Sequence, residues 1–217
     1  MNHQWEQLKL QVSNGKATIK LEVNQGIRGV IGSLNPMILC ERAQEEFDAF
    51  CSIQGVPLGQ LYGGKICAAL DRQHPRDLFD VHYMLKHEGI TEEIKKGFLF
   101  TLLSSQRPIR ELLFPNKIDQ KDAFNYQFQG MSNEVFEYGD FESTRETLIQ
   151  EIHRSLTSID KKFILDFKSG DPDWSHYNFQ SFPAVQWKLG NIRKLKEKHS
   201  ERYFEILSKL KEKLDTI

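Results

Sequence analysis

The sequence predicts an α+β protein: a small sheet up to about residue 57, followed by a helical domain over residues 58–217. Three observations carry this. Apolar residues alternate with polar ones on both sides of a turn near the N-terminus: Leu8, Leu10 and Val12, then Ala17, Ile19, Leu21 and Val23. From Leu58 onward the apolar spacing becomes helical. The final stretch, Ala184–Ile217, is rich in Lys and Glu interleaved with leucines, the pattern of helices with one solvated face.

The elements follow in order. Ser13-Asn14-Gly15-Lys16 is a turn signal, so residues 4–12 and 17–23 form a β-hairpin. On its second strand Lys20 and Glu22 share the polar face. Residues 27–31 read as a further short strand, with a loop at Gly32–Pro36. Residues 40–53 read as a helix followed by a short extended segment. A helix over Leu58–Leu70 carries Gly63 and Gly64 in its interior, each costing about 1 kcal/mol relative to alanine, as where another backbone or a ligand comes close. Gln73-His74-Pro75 breaks it, and Pro75 suits the first turn of the next helix, which runs to His87. Further helices are expected over Thr91–Ser105, with Thr91 as N-cap, then Pro108–Phe114, Asp119–Phe128 and Ser143–Asp160. Ser169-Gly-Asp171-Pro-Asp173 reads as a turn, and Trp174 and Trp187 as anchors of the loop that follows. One helix or two complete the chain from Ala184, with Leu195, Phe204, Leu207 and Leu210 inward. His74, His82 and His87 read as structural.

Composition narrows the function. The 217 residues carry a formal net charge of -1, which gives no global drive toward nucleic acid, although a local basic patch is compatible with it. Three cysteines at irregular spacing (Cys40, Cys51, Cys67) suit a reducing cytosol. No apolar run reaches the ~18 residues of a membrane helix, and the polar start is unlike a signal peptide. A cytoplasmic protein is expected.

The charges between residues 61 and 80 are arranged. Lys65 and Arg72 are seven apart and share a helix face; Arg76 and Asp80 are four apart and in position to pair, and Asp77 lies near a helix N-terminus. Such a corner either binds a polyphosphate or forms an ion-pair network locking two helices.

Lys65-Ile-Cys-Ala-Ala-Leu70 and Arg76-Asp77-Leu-Phe-Asp80 resemble the two C-terminal motifs of the AbiEii/AbiGii-type nucleotidyltransferases, the toxin halves of bacterial abortive-infection and type IV toxin–antitoxin pairs used in phage defence. Ile19-Lys20-Leu21-Glu22-Val23-Asn24, Gly170-Asp-Pro-Asp-Trp174 and Pro183-Ala-Val-Gln-Trp187-Lys188 resemble further segments of that family. The resemblance implies an incomplete nucleotidyltransferase-like sheet in residues 1–57. It implies transfer of a nucleotide from an NTP, with Mg²⁺, to an RNA (tRNA) or protein acceptor. Glu22 would be its third carboxylate and a metal ligand; Lys65 and Asp80 would be catalytic, and Lys65, Arg72, Arg76 and Asp77 would hold the nucleotide. Such enzymes carry their metals on a strand with Asp-x-Asp after a Gly-Ser turn; here Gly32-Ser33 comes after Glu22 with no acidic pair following, and the motif is expected ahead of residue 1. The chain therefore reads as truncated or completed by a partner, or as an inactive module binding nucleotide, RNA or a cognate antitoxin. An open sheet edge would allow homodimerisation.

Overall fold

The computed structural model describes residues 9–22 and 28–217. Strands β1 (Lys9–Ser13) and β2 (Thr18–Glu22) pair antiparallel, with Val12 opposite Ile19. The Asn14 side chain closes the turn by accepting from the Lys16 and Ala17 amides at 3.0 and 2.9 Å, and Gly15 takes the left-handed conformation at φ +83°. The expected outer ends of this hairpin, residues 4–8 and 23, lie outside the described residues. Residues 28–31 form no strand, contrary to expectation, and residue 27 lies outside the described part. Gly29 and Gly32 both have positive φ, and the Gln60 side chain takes up the backbone here. Gln60 donates from Nε2 to the Gly29 carbonyl, and its Oε1 accepts from the Ile31 amide, both at 2.7 Å. The expected loop at residues 32–36 is shorter, because Asn35 and Pro36 already belong to β3 (Asn35–Ile38). This strand pairs antiparallel with β4 (Ser52–Gly55) around α1 (Glu41–Phe47).

All remaining elements are helical. The core is built on α2 (Leu58–Arg72), α3 (Pro75–His87) and α4 (Glu92–Ser104), the last buried from Ile94 to Ser104 except at Lys96. Gly63 faces the α4 backbone so closely that an added Cβ would lie 2.1 Å from the Gly97 carbonyl carbon; a Cβ on Gly97 would lie 2.0 Å from the Gly59 oxygen. Two helices that touch at backbone level cannot tolerate side chains there, which explains one of the paired glycines. Gly64, its neighbour, has nothing within 4 Å of the same position. The Thr91 hydroxyl caps α4 by accepting from Ile94 N at 3.2 Å.

After α5 (Ile109–Leu113) and the single turn α6 (Lys121–Ala123), the chain continues as a π-helical turn, Phe124–Phe128, where a plain helix was expected. This turn sets Phe124 and Phe128 into the core beside Phe136. The helix expected over Ser143–Asp160 is two. α7 (Tyr138–Ser155) starts earlier, at a capping box between Glu137 and Asp140, and α8 (Ser158–Ser169) starts at a second box between Thr157 and Asp160. Ile159 consequently turns outward, 48% exposed, rather than into the bundle. α9 (Pro183–Lys198) and α10 (Ser200–Leu214) close the fold. Leu195 and Leu207 pack on the core and Leu210 is buried, but Phe204 is 57% exposed. Tyr203, one position earlier, is buried instead and donates from its hydroxyl to the Ser169 carbonyl at 3.0 Å. Trp174 packs edge-on against Phe163 and Phe167, as expected of an anchor, whereas Trp187 stands 55% exposed.

Two buried cations tie the helices together. Lys188 on α9 donates to the Leu102 and Arg107 carbonyls at 2.8 and 2.7 Å, and burial pulls its amine down to about 7. Lys95 on α4 meets Asp160 on α8 at 3.2 Å, with both side chains almost wholly buried. None of the helices among the described residues is long and apolar enough to cross a membrane.

Candidate functional site

The corner between α2 and α3 depends on Gln73. Its backbone turns left-handed (φ +49°), ending α2. Its side chain, 2% exposed, then fastens the corner to the chain beyond: Nε2 donates to the Asn116 carbonyl at 2.7 Å, and Oε1 accepts from Ile118 N and from the Arg145 guanidinium. His74 completes the start of α3, its Nδ1 accepting from the Arg76 amide at 3.2 Å. His82 bonds Thr144 at 3.0 Å and His87 stacks on Tyr83. All three histidines have structural contacts.

A cavity of about 460 Å³ opens beside this corner. One wall is a half-buried stripe of α2, Gln60, Gly64, Lys65 and Ala68, ending at the exposed Arg72. Asp77 and Asp80 come from α3, Phe100 and Thr101 from α4, and Arg28 and Gly29 from the segment that Gln60 clasps. Lys65 Nζ lies 2.5 Å from Asp80 Oδ2, and Arg72 Nη2 lies 2.6 Å from Asp77 Oδ1. Asp77 sits in the first turn of α3, where the free amides favour its charge. Its second oxygen, Oδ2, is buried with no hydrogen-bond partner among the described residues. The expected Arg76–Asp80 pair does not form: Asp80 is taken by Lys65, and Arg76 turns away to donate to the Gln127 carbonyl at 3.3 Å. Arg76 does not line the cavity.

The arrangement suits an anion. Three cations, Lys65, Arg72 and Arg28, border the space. Two of them are held in place by carboxylates, which limits the rotamer entropy lost on binding. Gly64 leaves the helix surface open between Lys65 and the cavity mouth, so a phosphate can approach the backbone.

Glu22 is elsewhere. It lies on exposed β2, 2.7 Å from Lys20 and 3.6 Å from Lys9, and does not line the cavity. The hydrogen bond and charge of Lys20, joined by Lys9, hold its carboxyl below the usual range. Among the described residues no group of three His, Cys, Asp or Glu side chains is placed to hold a metal ion. The carboxylates nearest the cavity already serve Lys65 and Arg72. These residues do not by themselves fit a resident Mg²⁺. Cys67, behind the α2 wall, is buried, and burial pushes its thiol up to about 12, so it is no nucleophile. The sequence marks Gln73 only as part of a helix break, and gives no sign of Gln60, Arg28 or Thr101 at the site. A buried glutamine at a helix C-terminus has no local pattern to reveal it, and the others join the site only through tertiary packing.

A family model described as nucleotidyl transferase AbiEii toxin, type IV TA system, matches residues 5–191. Searches of curated proteins and of solved structures returned no match.

Proposed function

The chain belongs to the AbiEii family of nucleotidyl transferase toxins of type IV toxin–antitoxin systems, and from that premise we propose that the α2–α3 corner is its NTP triphosphate site. The observation that carries this is the cavity wall on which Lys65 and Arg72 are each held by an α3 carboxylate, beside the open flank at Gly64. In this reading Lys65 and Arg72 bind the β- and γ-phosphates, and Arg28 closes the opposite side. Asp80 and Asp77 position the two cations. An acceptor hydroxyl on RNA (tRNA) or protein gives up its proton to water and forms a bond to the α-phosphorus, while the bond to the oxygen bridging to the β-phosphate breaks and pyrophosphate leaves. The two cations neutralise the charge that builds on that leaving group. Arg76 acts indirectly, by fixing α3 against the segment at Gln127.

Divalent Mg²⁺ is part of the family's expected chemistry and would neutralise phosphate charge and activate the hydroxyl. The proposal that Glu22 is one ligand requires β2 to come to the cavity and Lys20 and Lys9 to release its carboxylate. With residues 1–57 as a partial nucleotidyltransferase-like part and 58–217 as the helical domain, a partner would bring the remaining ligands. A cytoplasmic location, a role in phage defence and a cognate antitoxin belong to the same proposal. Dimerisation through the exposed hairpin also belongs to it, supported by Leu10, Val12, Ile19 and Leu21, each at least half exposed. Elution at monomer mass in sizing with light scattering contradicts that part. A second reading, a module that binds nucleotide, RNA or antitoxin without turnover, is favoured by Asp77 and Asp80 being engaged by cations rather than turned to a metal.

Transfer of label from each α-labelled NTP to total tRNA and to protein separates the two readings. Enzymatic transfer gives incorporation that falls about 100-fold in Lys65→Ala, a loss of about 2.7 kcal/mol in transition-state stabilisation, and falls also in Glu22→Ala. NTP binding that depends on Lys65, without incorporation, supports the second reading.

A further inference from the structure

The cavity at the α2–α3 corner is the first of four clefts that share lining residues in succession. Arg28 lines both it and a second cleft of about 540 Å³, whose walls include Asp71, Ser105, Arg107 and Trp187. Asp71 and Arg107 are shared with a third cleft, of about 340 Å³, that reaches Arg110 and Glu111. Those two residues in turn line a fourth, of about 320 Å³, with Lys168, Arg202 and Lys209. The three clefts beyond the cavity are lined by six Lys or Arg side chains against three carboxylates, Asp71, Glu111 and Glu205. The chain as a whole is slightly acidic, with 29 basic and 30 acidic residues. The basic excess is therefore local to this track.

An exposed indole stands beside it. Trp187 keeps 55% of its surface in solvent on α9, while Trp174, thirteen residues earlier, is packed against the core. Arg107, across the second cleft, is anchored by Asp71 and lies 3.7 Å from Glu111, so its guanidinium is fixed with donor capacity left over. Trp187 and the anchored Arg107 line the same cleft, and a single-stranded polynucleotide uses both features: its phosphates follow the cations and a base stacks on the ring. An acidic peptide would use the cations but would leave the indole unexplained.

We infer that this track binds a single-stranded polynucleotide, with a base stacked on Trp187 and its end directed through the Arg28 opening into the triphosphate cavity. The inference rests on the triphosphate reading for its direction, since it makes the bound strand the acceptor. It accounts for Arg28 facing two clefts: that side chain stands where the acceptor and the nucleotide meet.

The test is fluorescence anisotropy with a 5′-labelled single-stranded RNA of 12 nucleotides and the full chain, at 50–200 mM salt. Binding is expected to weaken with salt. Trp187→Ala is expected to weaken it about 10-fold or more, and Arg110→Ala to flatten the salt dependence. Trp187 is exposed, so its removal leaves the fold intact, which circular dichroism verifies. Unchanged RNA affinity in Trp187→Ala overturns the inference. So does a polyglutamate chain that binds as tightly and with the same dependence on Trp187. NTP titration of the same samples distinguishes the two claims. A parent chain that binds RNA through Trp187 but no NTP overturns the triphosphate site and leaves the track standing.

Discussion

Gly63→Ala lowers the melting temperature by roughly 6–12 °C, the equivalent of about 3 kcal/mol in a chain of this size, while Gly64→Ala leaves it unchanged or raises it slightly. The two glycines are neighbours in the same helix and gain the same propensity from alanine, up to about 1 kcal/mol. They differ in what the new methyl meets. At Gly63 it lands 2.1 Å from the Gly97 carbonyl carbon, which is backbone and cannot rotate aside. Relief requires α2 and α4 to separate, which loosens the packing of Ile66, Phe98 and Leu102, all fully buried. At Gly64 the methyl meets open space. Thermal melts of the two variants beside the parent measure the contrast. Equal melting temperatures would show that the helices are not in backbone contact.

Asp160→Ala destabilises the protein by about 3–5 kcal/mol. Asp160 is 1% exposed and serves four groups: Lys95 at 3.2 Å, the Tyr177 hydroxyl, and the Thr157 amide and hydroxyl at 2.8 and 2.9 Å. Its removal strands a buried ammonium, whose remaining carboxylate partner Glu92 is largely in solvent, and opens the capping box of α8. The pH dependence follows from the same contacts. Burial alone would raise the Asp160 carboxyl, but the hydrogen bonds from Tyr177, Thr157 and Lys95 prevail and hold it below the usual carboxylate range. A lowered pKa in the folded state gives stability that is fully present above the unfolded value, about 3.9, and is lost as pH falls through the folded one. Parent and variant therefore differ most at neutral pH and converge in acid. Urea titrations at pH 7 and pH 3 check this. A gap that stays constant would assign the loss to packing rather than charge.

Much of the fold was legible because turns and caps are local. Asn14-Gly15 declares the hairpin, and Pro75 and Thr91 declare helix starts, since each solves a backbone problem within three or four residues. The division between α7 and α8 was also written locally, in Thr157-Ser-Ile-Asp160, but the apolar periodicity of Leu148, Ile152 and Leu156 runs past Ser155 and masks it. Faces of the last helix were harder. Tyr203 and Phe204 are both aromatic and about 100° apart, and only docking against Ser169 selects the tyrosine. In the sequence nothing separates Trp187 from Trp174, so both read as anchors. What exposes it is the placement of α9, which the sequence does not state.

The site divides in the same way. Seven-residue spacing puts Lys65 and Arg72 on one face whatever α2 packs against, so that half of the corner follows from helix geometry. The choice of partners does not. Lys65 takes Asp80 across fifteen residues, leaving Arg76 to bind Gln127, because the Gln73 turn swings α3 alongside α2. The buried Lys95–Asp160 pair spans 65 residues and has no signature in either segment.

The central claim is that Lys65 and its open flank receive a triphosphate, and isothermal titration of NTP into the parent, Lys65→Ala and Gly64→Ala tests it most directly. The account predicts binding by the parent, at least 10-fold weaker binding in Lys65→Ala, and comparable weakening in Gly64→Ala despite its intact or improved stability, because the methyl occupies the approach to the helix. Parent-like affinity in both variants would contradict it and reduce the α2–α3 corner to an ion-pair lock between two helices.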